Sequence, residues 1–400
     1  MIEIKGGVTA PLGFQAAGVA CGLKKNGNKD IALVYSEETC VAVGAYTTNV
    51  VKGHSLQLTV ERMKNGYANG VLINSGCANA CVGVSGYRDA EEISNYCAEK
   101  LGIDAENMMI GSTGVIGVAL PKDTLISGVD SLLEQLSVDG GADAAQAIMT
   151  TDTHPKEVAV DIMLHGQHVH IGAMAKGSGM IHPNMATMIR IITTDANISK
   201  KVLEPMFKAI VKKTYNRVSV DGDTSVCDMT LLFANGLADE TPITEGTKEY
   251  ETFQAALEYV CTKLARMLAK DGEGATKLME VQVKHALTPE DAYKAAVAIA
   301  KSPLVKTAVF GEDANWGRIL TAAGYSGANF DPNRVDVFIG DIKTCENGVA
   351  LPFDEVAAKK VLEQDEILVV VDFQTGDCFD RMWTCDFSYD YVKINGSYRS

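Results

Sequence analysis

The residues around position 187 have the types and order that a self-cleaving nucleophile requires. Thr187 lies near the end of a stretch, 175–188, that is rich in small residues, and the apolar run 188–192 is typical of a buried strand. If the peptide bond between Ala186 and Thr187 breaks, Thr187 gains a free α-amine beside its hydroxyl group. One residue then supplies both base and nucleophile. The alternative to a catalytic role is that these residues form an ordinary loop end before a strand.

A second stretch, 111–117, could stabilise the oxyanion that forms when a nucleophile attacks a carbonyl group. It follows the apolar residues 108–110, which predicts a strand that leads into a glycine-rich loop. The flexible backbone of this loop and the hydroxyl group of Thr113 can direct hydrogen-bond donors at a developing negative charge. A glycine-rich turn without a catalytic role is the alternative. The stretch lacks the Lys-Ser/Thr pair of a phosphate-binding loop, so it gives little support to nucleotide binding.

Two charged residues could hold the ends of a small zwitterionic substrate. Lys176, eleven residues before Thr187, could bind a carboxylate or keep the α-amine of Thr187 neutral by like-charge repulsion. Glu273 lies between two glycines after a predicted helix and could bind an ammonium group. The alternatives are a solvated surface lysine and a helix C-terminus whose glycines adopt the left-handed conformation.

No stretch of the sequence predicts a metal site. His168 and His170 share one face of a predicted strand, but no third ligand follows at a suitable spacing, which favours an ordinary exposed face. Cys77 and Cys81 form a single C-x3-C pair with no second pair nearby. The segment 221–223 resembles the start of a calcium loop, yet the later ligands are missing and a tight turn is favoured.

The composition restricts the class of protein. The chain has 400 residues, of which 46% are hydrophobic and 22% charged, as in ordinary globular proteins, and this length allows one large α/β domain or two smaller ones. Its net charge of −15 argues against a nucleic-acid partner. Neither a signal peptide nor a membrane span is predicted. The ten cysteines contain no C-x2-C pair, and reduced thiols in a cytoplasmic protein are the simplest explanation.

Short apolar runs alternate with helical patterns along the chain, which predicts an α/β protein with layered, mixed sheets. The unbroken apolar run 367–371 predicts a strand that is buried on both faces. Predicted strands cover 31–35, 41–46, 70–74, 158–164, 168–172, 188–192, 229–233, 305–310, 336–339, 366–373 and 391–394, and predicted helices cover 89–101, 122–136, 142–149, 200–214 and 250–269.

Seven ordered motifs together resemble the ornithine acetyltransferase family, also called the bifunctional glutamate N-acetyltransferases of arginine biosynthesis. The stretch 175–188 resembles the cleavage-site motif of that family. The resemblance runs from residue 7 to the C-terminal residue, and its other motifs are 7–14, 111–117, 150–153, 220–225, 311–318 and the C-terminal tail.

The resemblance implies a precursor that cuts itself between Ala186 and Thr187. The products would be an N-terminal (α) chain, 1–186, and a C-terminal (β) chain, 187–400, that remain together as a heterotetramer or a larger assembly. It implies that Thr187 carries the acetyl group from N-acetylornithine to glutamate. The resemblance implies an enzyme without a cofactor, although acetyl-CoA is a possible co-substrate.

Individual roles are also implied by the resemblance. Thr113 and Gly114 would form the oxyanion hole. Thr150 or Thr151 would bind substrate, with Thr150 preferred and the choice left open. The remaining substrate-binding residues would be Lys176, Thr187, Glu273, Asn395 and Ser400.

The implied fold is similar in outline to that of N-terminal-nucleophile hydrolases, with sheets between helical layers but a distinct connectivity. Cys77 is a departure, because the family usually has asparagine there and a thiol is a weaker hydrogen-bond partner. A threonine-nucleophile amidase or aminopeptidase is the alternative enzyme, and a small-molecule binding protein with the same fold is the non-enzymatic alternative.

Overall fold

The computed structural model describes residues 1–182 and 188–397, which form two compact units. The described part of the first unit comprises 1–180, 188–216 and 224–264, and that of the second comprises 181–182, 217–223 and 265–397. Each unit contains one mixed β-sheet. The predicted class, an α/β protein with layered mixed sheets, is confirmed.

Within the described residues, the sheet of the first unit has nine strands in the order β1-β6-β7-β8-β9-β3-β4-β5, with β2 paired to β3. The pairs β4–β5 and β8–β9 are parallel and the other pairs are antiparallel. The strands are β1 (Ile2–Ile4), β2 (Phe14–Val19), β3 (Ile31–Tyr46), β4 (Tyr67–Cys77), β5 (Met108–Val115), β6 (Lys156–Leu164), β7 (Gln167–Lys176), β8 (Ile189–Thr194) and β9 (Met229–Ala234).

Alternate residues of β3 enter two different apolar clusters, because successive side chains of a strand point to opposite faces of the sheet. Ala32 and Val34 pack in a cluster with α4, whereas Ile31 and Leu33 pack in a cluster with α2 and α3. The sheet is therefore covered by helices on both faces. The helices are α1 (His54–Arg62), α2 (Ser85–Leu101), α3 (Lys122–Gln135), α4 (Gly141–Ala147), α5 (Lys200–Lys213) and α6 (Lys248–Lys270), of which α6 belongs to this unit as far as Leu264.

The second unit has a six-stranded sheet within the described residues, in the order β13-β12-β11-β14-β10-β15, with only β10–β14 parallel. One face packs on the alanine-rich side of α7 and on α9. The strands are β10 (Leu278–Ala286), β11 (Asp336–Ile339), β12 (Ile342–Glu346), β13 (Val349–Ala350), β14 (Glu366–Asp372) and β15 (Cys378–Cys385). The helices are α7 (Pro289–Lys301), α8 (Pro303–Phe310), α9 (Trp316–Gly324), α10 (Glu355–Leu362) and α11 (Tyr389–Gly396).

Two predicted strands of the second unit are helices instead. Residues 305–310 lie in α8, which the side chain of Ser302 caps by accepting a hydrogen bond from the Val305 N–H. Residues 391–394 lie in α11, where Ser388 caps in the same way. Both segments are short apolar runs, in which periodicity cannot separate a strand from a helix and the N-cap decides.

Three further predictions need correction. The predicted strands 31–35 and 41–46 are one strand, β3, with an irregular register between them. The predicted loop 111–117 is strand as far as Val115, because β5 pairs residue by residue with β4. The apolar run in β14 is buried on both faces except at Leu368, which is 36% exposed. Among the described residues, no helix combines the length and the low polarity that are needed to cross a membrane.

Candidate functional site

Thr113 and Gly114 lie on β5, opposite Ser75 and Gly76 of β4. Thr113 is buried, and Gly114 has a φ of 130°, a conformation that favours glycine. A Cβ atom on Gly114 would lie 2.6 Å from the carbonyl carbon and oxygen of Gly76. The close approach of the two strands therefore requires glycine at this position.

A chain of buried hydrogen bonds links Ser112 of β5 to Ser55 of α1 and Asn74 of β4. Ser112 Oγ lies 2.7 Å from Ser55 Oγ and donates to Asn74 Oδ1 at 2.6 Å. The Asn74 amide donates to the backbone carbonyl of Cys77 at 3.0 Å, with Cys77 Sγ at 3.6 Å. The backbone of Cys77 accepts the shorter bond, so this contact does not require the side chain in which the sequence departs from the resembled family.

Lys176 ends β7 and is 2% exposed, so the alternative of a solvated surface lysine is wrong. Its Nζ donates to Thr113 Oγ1 at 3.5 Å. Burial lowers the pKa of Lys176, and Asp152 opposes that effect. The structure thus brings together two predicted site residues that are 63 positions apart in the sequence.

Asp152 is the centre of this cluster, and sequence reasoning assigned it no role. One carboxylate oxygen accepts from Lys156 Nζ and from the Gly177 N–H, both at 2.7 Å, and the other accepts from the Thr150 N–H at 3.0 Å. Burial alone would raise the pKa of Asp152, but Lys176, Lys156 and the Gly177 N–H outweigh it and lower the pKa to about 2. An ionised Asp152 therefore fixes the end of β7 against the segment that contains Thr150.

Thr150 and Thr151 are both half-buried, and the choice between them stays open. The carbonyl group of Met149, directly before Thr150, accepts from Lys24 Nζ at 2.7 Å. Burial is the main reason why the pKa of Lys24 falls to about 8. The backbone around Thr150 is therefore held on two sides, by Lys24 and by Asp152.

The predicted nucleophile and its cleavage partner, Thr187 and Ala186, lie outside the described residues. Met188, the next residue, is fully buried. Its N–H donates to Asp228 Oδ1 and its carbonyl group accepts from Arg190 Nη2 at 3.2 Å. Burial raises the pKa of Asp228 well above its usual range, although Arg190 opposes this. Burial also lowers the pKa of Arg190 to about 10.

Asp228 and Arg190 were missed by sequence reasoning. Arg190 is a charged residue inside the apolar run 188–192, and Asp228 follows the motif 220–225 by three residues. Arg190 could have been found from the sequence, because it is a charged residue within a run that predicts a buried strand. Such a residue is seldom fully buried without a partner.

In the second unit, Glu273 and Asn395 are in direct contact. The Asn395 amide donates to Glu273 Oε2 at 2.8 Å, and Glu273 is only 6% exposed. Ser388 Oγ donates to the carbonyl group of Gly274, which fixes the turn beside Glu273. The predicted residue Ser400 lies outside the described residues.

Within 1–182 and 188–397, no group of three or more histidine, cysteine, aspartate or glutamate side chains is arranged to hold a metal ion. The two histidines of β7 each contact an aspartate instead. His168 Nδ1 lies 2.8 Å from Asp161, and His170 Nδ1 lies 2.8 Å from Asp195. All ten cysteines are free thiols.

The arrangement in the first unit suits acyl chemistry. Thr113 and Gly114 present polar groups at one end of β5, and Lys176 adds a buried cation beside them. Such donors stabilise a developing oxyanion most strongly when they are fixed and shielded from water. In the second unit, the carboxylate of Glu273 with the amide of Asn395 suits an ammonium group.

Comparison with known proteins gives concordant matches. The ArgJ family model matches residues 15–400. An arginine biosynthesis bifunctional protein ArgJ from Symbiobacterium thermophilum is 52% identical over 399 residues, which is 99% of each chain. The crystal structure of an arginine biosynthesis bifunctional protein ArgJ from Bacillus halodurans is 42% identical, with a TM-score of 0.51, and covers 52% of this chain and 98% of its own. An ornithine acetyltransferase from Mycobacterium tuberculosis, solved with ornithine, is 38% identical, with a TM-score of 0.43, and covers 46% of this chain and 97% of its own.

Proposed function

This chain belongs to the ArgJ family, and on that premise we propose that it cuts itself before Thr187 and then transfers acetyl groups from N-acetylornithine to glutamate. The family that the sequence motifs predicted is confirmed, and with it the prediction of a bifunctional enzyme of arginine biosynthesis. The proposal adds the nucleophile, the covalent intermediate and the roles of individual residues.

Self-cleavage begins when the hydroxyl oxygen of Thr187 attacks the carbonyl carbon of Ala186. The amide C–N bond breaks, the Thr187 nitrogen takes up the hydroxyl proton, and an ester remains. Water hydrolyses this ester, which leaves a carboxylate on Ala186 and a free α-amine on Thr187.

Acetyl transfer then uses the same hydroxyl group in two steps. The α-amine of Thr187 takes the hydroxyl proton while the oxygen attacks the acetyl carbon of N-acetylornithine, and ornithine leaves with that proton on its amine. The amine of glutamate attacks the acetyl ester, which regenerates Thr187 and gives N-acetylglutamate. Both steps pass through a tetrahedral oxyanion, for which Thr113 and Gly114 are the proposed donors.

The substrate-binding residues of the proposal are Lys176, Thr150 or Thr151, Glu273, Asn395 and Ser400. By its charge, Lys176 suits a carboxylate group and Glu273 suits an ammonium group. Lys176 also favours a neutral α-amine on Thr187, because like charges repel.

The observation that carries the proposal is the hydrogen bond from the buried Lys176 to Thr113. A charged group pays a large desolvation cost in such a place and is retained when it serves a partner or a ligand. The clustering of this cation with the oxyanion donors favours an acyl-transfer site over an ordinary strand end.

The proposal has three further parts. The processed α and β chains form a heterotetramer or a larger assembly. Acetyl-CoA serves as an additional acetyl donor, in keeping with the word bifunctional in the relatives' names. The enzyme is cytoplasmic, which agrees with ten free thiols.

The test is a transfer assay with N-acetylornithine that carries a labelled acetyl group. We expect the label in N-acetylglutamate when glutamate is present, and no turnover with Thr187→Ala. Free labelled acetate as the main product would instead support the amidase alternative. Ligand binding without turnover, unchanged by Thr187→Ala, would support a binding protein.

A further inference from the structure

The loop that follows β4 is hydrogen-bonded to the end of β5 and to the start of α1. The Ala78 N–H donates to the carbonyl group of Val115, the last residue of β5, at 3.0 Å. The carbonyl group of the next residue, Asn79, accepts from the N–H of His54, the first residue of α1, at 2.7 Å. The position of this loop and the position of the end of β5 therefore depend on each other.

Asn79 costs the fold more stability than a glycine would in the same place. Its φ is 50°, which asparagine tolerates but glycine adopts with less strain. The side chain is fully buried, and within the described residues its Oδ1 has no hydrogen-bond partner. A buried acceptor without a partner is destabilising. What asparagine offers here, and glycine does not, is the N–H donors of its amide group.

These donors begin a chain of hydrogen bonds whose direction is fixed. Asn79 Nδ2 donates to Ser55 Oγ at 3.0 Å and to the carbonyl group of Gly86 at 2.8 Å. A serine hydroxyl group has one proton to donate, and Ser112 donates its proton to Asn74 Oδ1. Ser55 must therefore be the donor in the 2.7 Å contact between the two serine hydroxyl groups. The order of donation is Asn79, Ser55, Ser112 and Asn74.

The chain closes into a ring that includes the residue before Thr113. The Asn74 amide donates to the carbonyl group of Cys77, which is two residues before Asn79 in the sequence. The ring thus joins α1, β5 and β4, and Ser112 is its member on β5. Hydrogen bonds in a buried network strengthen one another, so the loss of one donor weakens the whole ring.

We propose that Asn79 is a positioning residue for the oxyanion donors Thr113 and Gly114. It acts through Ser55 and Ser112, which hold this end of β5 in place. The inference rests on the proposed function, because it assumes that β5 stabilises the oxyanion. Oxyanion donors are effective because they are fixed before the charge develops. A β5 strand that is held less firmly should therefore slow the chemical step without weakening substrate binding.

The experiment measures acetyl transfer by Asn79→Gly, by Ser55→Ala and by the double variant in the full chain. The glycine keeps the backbone conformation of residue 79 and removes only the side chain. The loss of an oxyanion donor costs about 100-fold or more in kcat, and a displaced donor should cost less. We therefore expect each single variant to lose about tenfold in kcat, with KM values within about threefold of wild type.

The double variant distinguishes one chain of hydrogen bonds from two separate effects. Residues that act through the same network show non-additive changes. Because both substitutions break the same chain, we expect the double variant to lose about tenfold in kcat, as the single variants do, and not about 100-fold. The intact mass of each preparation gives its cut fraction, and kcat is calculated per cut chain.

Asn69→Ala is the matched structural control. Asn69 is 3% exposed and lies near the opposite end of β4, where its amide donates to the carbonyl group of Ser36 at 3.1 Å. Its substitution removes a buried asparagine amide from the same sheet without touching the ring. We expect this variant to lose stability and to keep the wild-type kcat.

Two outcomes overturn the inference. One is an Asn79→Gly protein with the kcat of Asn69→Ala or, if the glycine variant does not fold, a Ser55→Ala protein with that kcat. The other is a double variant whose loss in kcat is the product of the two single losses. Both leave the proposed function intact as long as the wild-type chain transfers the labelled acetyl group to glutamate. A wild-type chain that transfers none would refute the proposed function and this inference with it.

Discussion

The candidate residues of the two units are held in different ways. In the first unit, Thr113 and Lys176 are buried on strands, and Asp152 ties the neighbouring segments together. In the second unit, Glu273 is buried in a turn but its partner Asn395 lies on the exposed helix α11. Oxyanion donors must be fixed before the reaction, whereas a group that only binds an ammonium ion can adjust to its ligand. The burial of Thr113 and Lys176 therefore agrees with their proposed place beside the oxyanion, and the exposure of Asn395 agrees with its proposed role in substrate binding.

The largest effect is expected from a substitution on β5, among the buried strand residues of the first unit. Gly114→Ala places a Cβ atom against the backbone of Gly76 and should lower kcat by about 100-fold or more, because it displaces the proposed oxyanion donors on β5. Gly117→Ala is the matched control, because Gly117 also has a positive φ but its Cβ would meet open space. Equal kcat values for the two variants would show that the close approach of β4 and β5 is irrelevant to catalysis.

The second prediction concerns Asp152 and stability. Its pKa is about 2 when folded and about 3.9 in an unfolded chain, so the ionised form should contribute about 3 kcal/mol above pH 5. This contribution falls as the pH decreases through 4 towards 2. We therefore expect Asp152→Asn to be less stable than the parent at pH 7 and to approach it at pH 3.

Urea unfolding in the Thr187→Ala background, which should remain a single chain, measures this difference. Asp139→Asn, at an exposed position of the same unit, is the control and should change little at either pH. A stability gap for Asp152→Asn that stays constant from pH 7 to pH 3 would contradict the ion-pair explanation.

A smaller effect is expected in the second unit. Glu273→Gln keeps a hydrogen-bond acceptor for Asn395 but removes the negative charge, so KM for the amino-acid substrates should rise about tenfold while kcat changes little. Steady-state kinetics with N-acetylornithine and with glutamate measures the changes in KM and in kcat separately. Glu363→Gln, an exposed position in the same unit, serves as the control. A fall in kcat without a change in KM would place Glu273 in the chemistry rather than in binding.

The smallest effect is expected at Cys77. Because the amide of Asn74 donates to the backbone carbonyl of residue 77, Cys77→Asn should leave kcat within about twofold and cost about 1 kcal/mol of stability for burying an amide. Cys97→Asn, on α2 in the same apolar cluster as Cys77, should also cost stability and leave kcat unchanged. A large change in kcat for Cys77→Asn would show that the side chain itself shapes the oxyanion donors.

The sequence predicted the sheet layers and most helices well, because apolar residues recur at helical spacing along long segments such as 200–214 and 250–269. It failed at 305–310, where the capping of α8 by Ser302 decides the conformation. It also placed Thr113 in a loop, since glycine-rich composition does not reveal the pairing of β5 with β4.

The sequence also predicted only some of the residues of the candidate site. The motifs named Thr113, Lys176, Glu273 and Asn395, and the structure brings them together as two pairs, one in each unit. Asp152 and Asp228 could not be assigned roles from the sequence, because each accepts from backbone N–H groups that only folding positions.

The most direct test of the account is the intact mass of the purified chain beside that of Thr187→Ala, measured in denaturing buffer. The account predicts two wild-type fragments that meet between Ala186 and Thr187, and one unbroken chain in the variant. An uncut wild-type chain of 400 residues, or a variant cut at the same bond, would contradict it.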